Sequence, residues 1–318
     1  MMFVGGYAFI LNSVFIVASV FFYCALILAI VFRTTEQWRV KLSAGARQWV
    51  LWSFVLIPWL VALSVTIVVL MPDSAAAMPS WFLALTHWHH INVFNFYSWH
   101  SVLVLLIAAT SFLAIVRHTH QLLKHRSALG ALLSLDGFTK NSSLGSTVIY
   151  AFTAGLFRPK VFISPALQAQ LSTAENDIVS RHELAHQQRF DPLRKWSFSF
   201  LAAFYLPVIS HRLRREFSLC LELIADDYAA GGGSGGTTVA STVIKLCRLS
   251  RNQQQFASPL SCHFYASEIE ARVHYQLRSE PGRAFPLSLF VVFLCVLLAS
   301  CLLSVDSYHH AFEAIFSH

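Results

Sequence analysis

The residues with the clearest chemistry are His182-Glu183-Leu184-Ala185-His186. Two histidines four apart lie on one face of a helix, so both imidazoles can reach a single ion. Glu183 stands about 100° round the helix from His182, beside the metal and placed to take a proton from a zinc-bound water. Zinc lowers the pKa of such a water towards about 7 and polarises a scissile carbonyl. With 15 His and 9 Glu in 318 residues, chance supplies roughly 0.02 such patterns, and the pattern is the one zinc peptidases use. A catalytic zinc takes three protein ligands and keeps one position open. Glu222-Leu-Ile-Ala-Asp226 offers the rest: Glu222 as third ligand and Asp226, on the same face at i,i+4, as acceptor for the free ring N–H of a zinc-bound histidine. An acidic helix face is the plain alternative for this pair; the neighbouring histidine motif favours ligation. The expectation is a metalloendopeptidase with one Zn2+ per chain.

Several elements must position these groups. Ser172-Thr-Ala-Glu175 is a capping-box signature. The helix it starts should run to about Phe190, where Asp191-Pro192 stops it. Asp191 reads as a helix-end residue with a local hydrogen bond, not a ligand. A second helix over roughly 214–230 should end at the glycine run 231–236, a cap and linker; no Gly-Lys-Ser/Thr follows, so it is no phosphate loop. Cys220 falls on a different face from Glu222. Upstream, Thr147–Phe152 and Lys160–Ile163 are rich in β-branched and aromatic residues, with Gly155 and Pro159 between them, and read as a short hairpin or edge strand. Val161, Phe162 and Ile163 are candidates to pair with an extended substrate, a purely structural strand being the alternative. Arg212, Arg214 and Arg215 fit interfacial anchoring; the other reading makes one of them an oxyanion stabiliser.

Composition sets the surroundings. The chain is 56% hydrophobic and 12% charged, where a soluble domain carries about 25% charge. The basic residues are clustered and no nucleic-acid-binding signature appears, so no direct nucleic acid binding is expected. Four apolar stretches approach the roughly 20 residues a spanning helix needs: Tyr7–Phe32, Trp49–Met71, Trp99–Val116 and Ala284–Val305. The first lacks a basic flank and is too long for a signal peptide. Arg33, Arg39, Lys41 and Arg47 fill loop one, residues 72–98 hold no Lys or Arg, and Arg117, Lys124, Arg126, Arg278 and Arg283 flank spans three and four. The positive-inside rule then puts both termini outside and residues 118–283 in the cytoplasm. Residues 1–117 thus carry three transmembrane helices, 118–283 the zinc peptidase domain, and 284–318 the fourth helix with a short outer tail. Trp196–Ile209, with Pro207 inside it, is too short to cross and suits a buried or interfacial segment. No span holds Asp, Glu, Lys or Arg, which argues against a transporter. Six cysteines form no disulfide framework or CxxC pair, compatible with a reducing compartment. The outer histidines His87, His89, His90 and His100 fit a Trp-anchored interfacial segment or, alternatively, a metal sensor.

Together these features resemble the bacterial membrane zinc metallopeptidases of the BlaR/MecR antirepressor type. The order of three spans, cytoplasmic zinc domain and fourth span is similar to theirs. So are Gly155-Leu-Phe-Arg-Pro-Lys-Val-Phe-Ile-Ser-Pro165 ahead of the zinc helix, the His182 motif with Asp191 behind it, Glu222 with Asp226, and Ser267-Glu-Ile-Glu-Ala-Arg272 before the last span. The resemblance implies a mainly α, integral-membrane fold: four transmembrane helices, with a cytoplasmic α+β gluzincin-like domain inserted between helices three and four. It implies a cell (inner) membrane location and, as substrate, a cytoplasmic transcriptional repressor in signal transduction, with self-cleavage also open. Those antirepressors carry a penicillin-binding sensor after span four; His318 follows that span closely, so only the protease module is implied. A membrane quality-control protease of the HtpX type is a second reading, although that type places its motif after two spans. A non-catalytic zinc-binding signalling protein is a third, and it leaves Glu183 without a task.

Overall fold

The computed structural model of the chain describes residues 2–70, 93–95, 99–135, 149–231, 235–252, 266–278 and 282–316. The outer-loop histidines His87, His89 and His90 fall outside these residues. The protein is mainly helical. Helix α1 (Gly6–Thr34), the short α2 (Glu36–Val40) and α3 (Ala44–Leu70) follow a first strand, β1 (Met2–Val4), which pairs antiparallel with β2 (Val93–Asn95). Helix α4 (Trp99–Leu135) comes next. Then come the antiparallel hairpin β3 (Ala151–Ala154) and β4 (Lys160–Ile163), the one-turn α5 (Pro165–Gln168), α6 (Thr173–Gln188), α7 (Asp191–Ala202), α8 (Pro207–Ala229), α9 (Gly236–Asn252), α10 (Ala266–Leu277) and α11 (Leu287–Phe316).

Among the described residues, α1 and α3 are long and apolar enough to cross a membrane; α4 and α11 hold shorter apolar stretches, Val104–His120 and Leu287–Leu302. Helix α4 continues well past Val116, so the expected boundary at 117/118 falls inside a helix. Pro58 lies within α3, where the ring removes one donor from the ladder.

Strand β4 spans Lys160–Ile163 as expected, and β3 runs from Ala151 to Ala154, later than the expected Thr147–Phe152. The hairpin register pairs Ala151 with Ile163, Phe152 with Phe162 and Thr153 with Val161. Its turn needs Gly155, at φ +108°, where a Cβ would meet the Arg158 carbonyl oxygen at 2.6 Å. Phe152 and Phe162 stack on one face of the hairpin, ring centres 5.3 Å apart. On the other face Ala151 and Ile163 pack with Leu167, Leu171 and Val179.

Helix α6 starts on the expected capping box: the Ser172 Oγ accepts from Glu175 N–H, and the Ser172 N–H donates to Glu175 Oε2 at 2.7 Å. Asp191-Pro192 does end it, but also begins α7, because proline suits the first turn of a helix. Between them Phe190 adopts a left-handed conformation, φ 54°. Helix α8 begins seven residues before the expected Arg214, with Pro207 in its first turn, and closes at Gly231, φ +67°. The apolar run Trp196–Ile209 is therefore the second half of α7, a break, and the start of α8. It packs against α1 and α3: Phe204 meets Trp59 at 4.9 Å, Phe198 meets Trp52 at 5.4 Å, and the Tyr205 hydroxyl donates to the Phe54 carbonyl. One apolar core consequently runs from Phe15, Leu28, Leu51 and Val65 into Phe198, Leu213, Phe217 and Leu221.

Candidate metal centre

Helices α6 and α8 pack side by side and bring His182, His186 and Glu222 together, with one potential ligand atom from each within 4.8 Å of the others. This group could hold a metal ion. The His182 and His186 Nε2 atoms are 3.2 Å apart. Glu222 Oε2 is 3.4 Å from His182 Nε2, and Oε1 is 3.8 Å from His186 Nε2. All three side chains are between 12% and 16% exposed, nearly buried yet reachable.

Each imidazole is oriented from behind. His182 Nδ1 lies 2.9 Å from Asp226 Oδ1, as the i,i+4 spacing of Glu222 and Asp226 requires. His186 Nδ1 lies 2.8 Å from Asp191 Oδ2. With an Nδ1–H donated to each carboxylate, the neutral form of each imidazole presents its Nε2 lone pair for an ion. Asp191 is thus more than the local helix-end residue expected from its position: the left-handed turn at Phe190 folds it back onto the preceding helix.

The carboxylates are held ionised against their burial. Asp226 is 0% exposed; burial pushes its carboxyl up, but Arg272 and His182 outweigh that and bring it below the ordinary range. Arg272, from α10, donates twice to Asp226, Nε at 2.8 Å and Nη2 at 2.7 Å, and its Nη1 lies 3.2 Å from Glu222 Oε2. Glu222 is likewise held well below its ordinary value, burial being overcome by His182, His186 and Arg272. Burial opposes charge on His182, yet Asp226 and Glu222 raise its pKa to about 10.

Glu183 is buried. The Thr153 hydroxyl donates to Glu183 Oε2 at 2.7 Å and lies 3.0 Å from the Glu183 carbonyl oxygen. So β3 holds the residue expected from the sequence to transfer the proton. Of the three candidates on β4, Val161 stands opposite Thr153, Phe162 stacks on Phe152 across the hairpin, and Ile163 is taken up in packing. Gln187 Nε2 donates to the Pro159 carbonyl at 3.0 Å and ties the hairpin's turn to the end of α6. Cys220 faces away from Glu222 as expected, its thiol donating to the Ala44 carbonyl at 3.0 Å. Among the three arginines considered for an oxyanion, Arg215 pairs with Glu268 at 3.4 Å.

Three contributors were thus missed: Thr153, Asp191 as an orienting carboxylate, and Arg272. Asp191 stood five residues from His186, the one signal that pointed to it; Thr153 and Arg272 lie 30 and 46 positions from their partners. Compared with family models, curated proteins and solved structures, the chain matches none of them.

Proposed function

We propose that this protein is an integral-membrane zinc endopeptidase whose active site faces the cytoplasm. Its substrate is a cytoplasmic regulator, a transcriptional repressor by the likeness to antirepressor peptidases. The observation that carries this reading is Glu183 fixed by Thr153 beside a His182/His186/Glu222 group. A structural zinc site closes with four protein ligands; among the described residues three converge, and Glu183 stands next to His182 in the chain.

The donor set fits zinc. Two imidazole nitrogens at about 2.0–2.1 Å from a tetrahedral ion stand roughly 3.3 Å apart, and His182 and His186 already hold theirs 3.2 Å apart. When bound, zinc supplies Lewis acidity and lowers the pKa of water. The chain's own residues do the rest. Asp226 and Asp191 lock the two tautomers. Arg272 keeps Asp226 and Glu222 ionised. Glu183 takes a proton from the attacking water as its oxygen bonds to the scissile carbonyl carbon, then passes that proton to the departing amine nitrogen. Thr153 fixes the carboxylate through both transfers.

The membrane part of the proposal has four spans, α1, α3, the first part of α4, and α11, with both termini outside. What supports it is the outward apolar surface: Phe112 is 70% exposed and Leu289 69% exposed, an arrangement water disfavours and lipid accepts. Comparing new protein N-termini in cells expressing wild type or Glu183→Gln at equal levels tests the activity. Fragments present only with wild type, including a cut DNA-binding regulator, are expected. Identical sets of N-termini under every inducing condition would sink the protease reading.

A further inference from the structure

The start of α3 touches both helices that supply the metal group. On the α8 side, Arg47 Nε binds Glu216 Oε1 at 3.0 Å, the Cys220 thiol donates to the Ala44 carbonyl, and the Ala44 N–H donates to the Tyr275 hydroxyl, which donates on to Asp227. Arg39 adds a two-pronged pair to the same Glu216, at 3.0 and 2.9 Å. On the α6 side, beside the apolar packing of α7 on α3, one polar arm is seen among the described residues. Gln48 Oε1 accepts from Arg189 Nη2 at 2.8 Å; Arg189 Nε lies 3.5 Å from Asp191 Oδ1; Asp191 Oδ2 bonds His186 Nδ1 at 2.8 Å. Arg189 and Phe190 occupy the bend between α6 and α7, with Phe190 left-handed.

We propose that Gln48 and Arg189 are positioning residues for the ligand His186, making the apolar helix α3 a lever on the metal site. The inference rests on the His182/His186/Glu222 group being a metal site. The α8 contacts are several and charge-assisted; the α6 arm is one neutral–charged bond followed by one long ion pair. A displacement of α3 reaches Glu222 through the α8 contacts, and reaches His186 through the Gln48–Arg189–Asp191 arm beside the packing of α6 on α8 and of α7 on α3. The quantity that changes is the separation of the histidine pair from Glu222, and with it the affinity for the ion.

The test is metal affinity, not turnover. Full-length protein in nanodiscs is titrated with Zn2+ against a chromophoric chelator, and with Co2+ to record the ligand-field spectrum, for wild type, Arg189→Ala, Arg189→Lys and Gln48→Ala. Replacing an outer partner of a ligating histidine costs about 10–100-fold in affinity. One step further out, Arg189→Ala is expected to lose about tenfold and Gln48→Ala about threefold. Arg189→Lys, which keeps charge near Asp191 but lacks a second prong for Gln48, should match Gln48→Ala. The metal-free melting temperature of Gln48→Ala should equal that of wild type, separating positioning from folding. Wild-type affinity and cobalt spectrum in Gln48→Ala would overturn the lever, while leaving the metal site standing. Failure of wild type itself to bind either ion would overturn the metal reading and this inference with it.

Discussion

Thr153 shows how little of the candidate site one helix can hold. The histidine motif fixes His182, Glu183 and His186 relative to each other, but a buried carboxylate left without a donor is poorly ordered and costly to ionise. The Thr153 hydroxyl, 2.7 Å from Glu183 Oε2, supplies that donor from a strand. Thr153→Val keeps shape and removes the hydroxyl. It should lower kcat by about 10- to 100-fold, less than the roughly 100- to 10,000-fold that a general acid–base group itself contributes, with zinc content unchanged, and Thr153→Ser should restore most of the rate. Equal kcat in Thr153→Val, measured on a cleavable peptide, would mean that Glu183 needs no such holder. The five groups from the two helices, His182, Glu183, His186, Glu222 and Asp226, were legible in the sequence because a 3.6-residue period converts spacing into a shared face. Thr153 and Arg272 were not, because their partners are set by how separate elements dock, and spacing along the chain carries no trace of that.

At the scale of elements, the hairpin, the capping box and the helix end at Gly231 could all be read in advance, since each is a local rule. The late start assigned to α8 has a local cause too: Pro207 looks like a breaker in an apolar run, yet proline in a first turn begins a helix. Helices α9 and α10 were not anticipated as packing partners, although α10 delivers Arg272 and α9 delivers a lysine to the cap of α6. Lys245 Nζ sits 2.6 Å from Glu175 Oε2, and this bond, followed by the Ser172 N–H, depresses the Glu175 carboxyl. A depressed carboxyl contributes stability that is present above its unfolded pKa and lost as pH falls through the folded one. Glu175→Gln keeps a capping-box acceptor while removing the charge. Its deficit in melting temperature against wild type should be full near neutral pH, begin to shrink below the ordinary carboxylate value of about 4.3, and vanish only below the depressed folded-state value. A deficit that persists unchanged in acid would assign the loss to cap geometry rather than to the Lys245 pair.

At the scale of the molecule, the division into a membrane part and a peptidase part has no counterpart in the packing. Phe198, Tyr205, Leu213 and Phe217, from the α7–α8 pair, belong to the same apolar core as Phe15, Leu28, Leu51 and Val65. The polar counterpart is Glu216. It receives Arg39, which is 1% exposed and also donates to the Phe32 carbonyl and to Thr35 Oγ1, and it receives Arg47. Two guanidiniums share one carboxylate, so losing that carboxylate strands both of them in a nearly dry place. Breaking a buried pair from one side costs about 3–5 kcal/mol. Glu216→Gln is therefore expected to lower the melting temperature of the whole chain in detergent as one transition, because the core that this clamp closes is shared. A variant that instead unfolds in two steps, with α1 and α3 melting separately from the metal helices, would show that the shared core does not make one cooperative unit. The single-step outcome has a functional corollary: with no independent hinge between the apolar helices and α8, a change felt by α1 or α3 reaches Glu222 as displacement rather than as loosening.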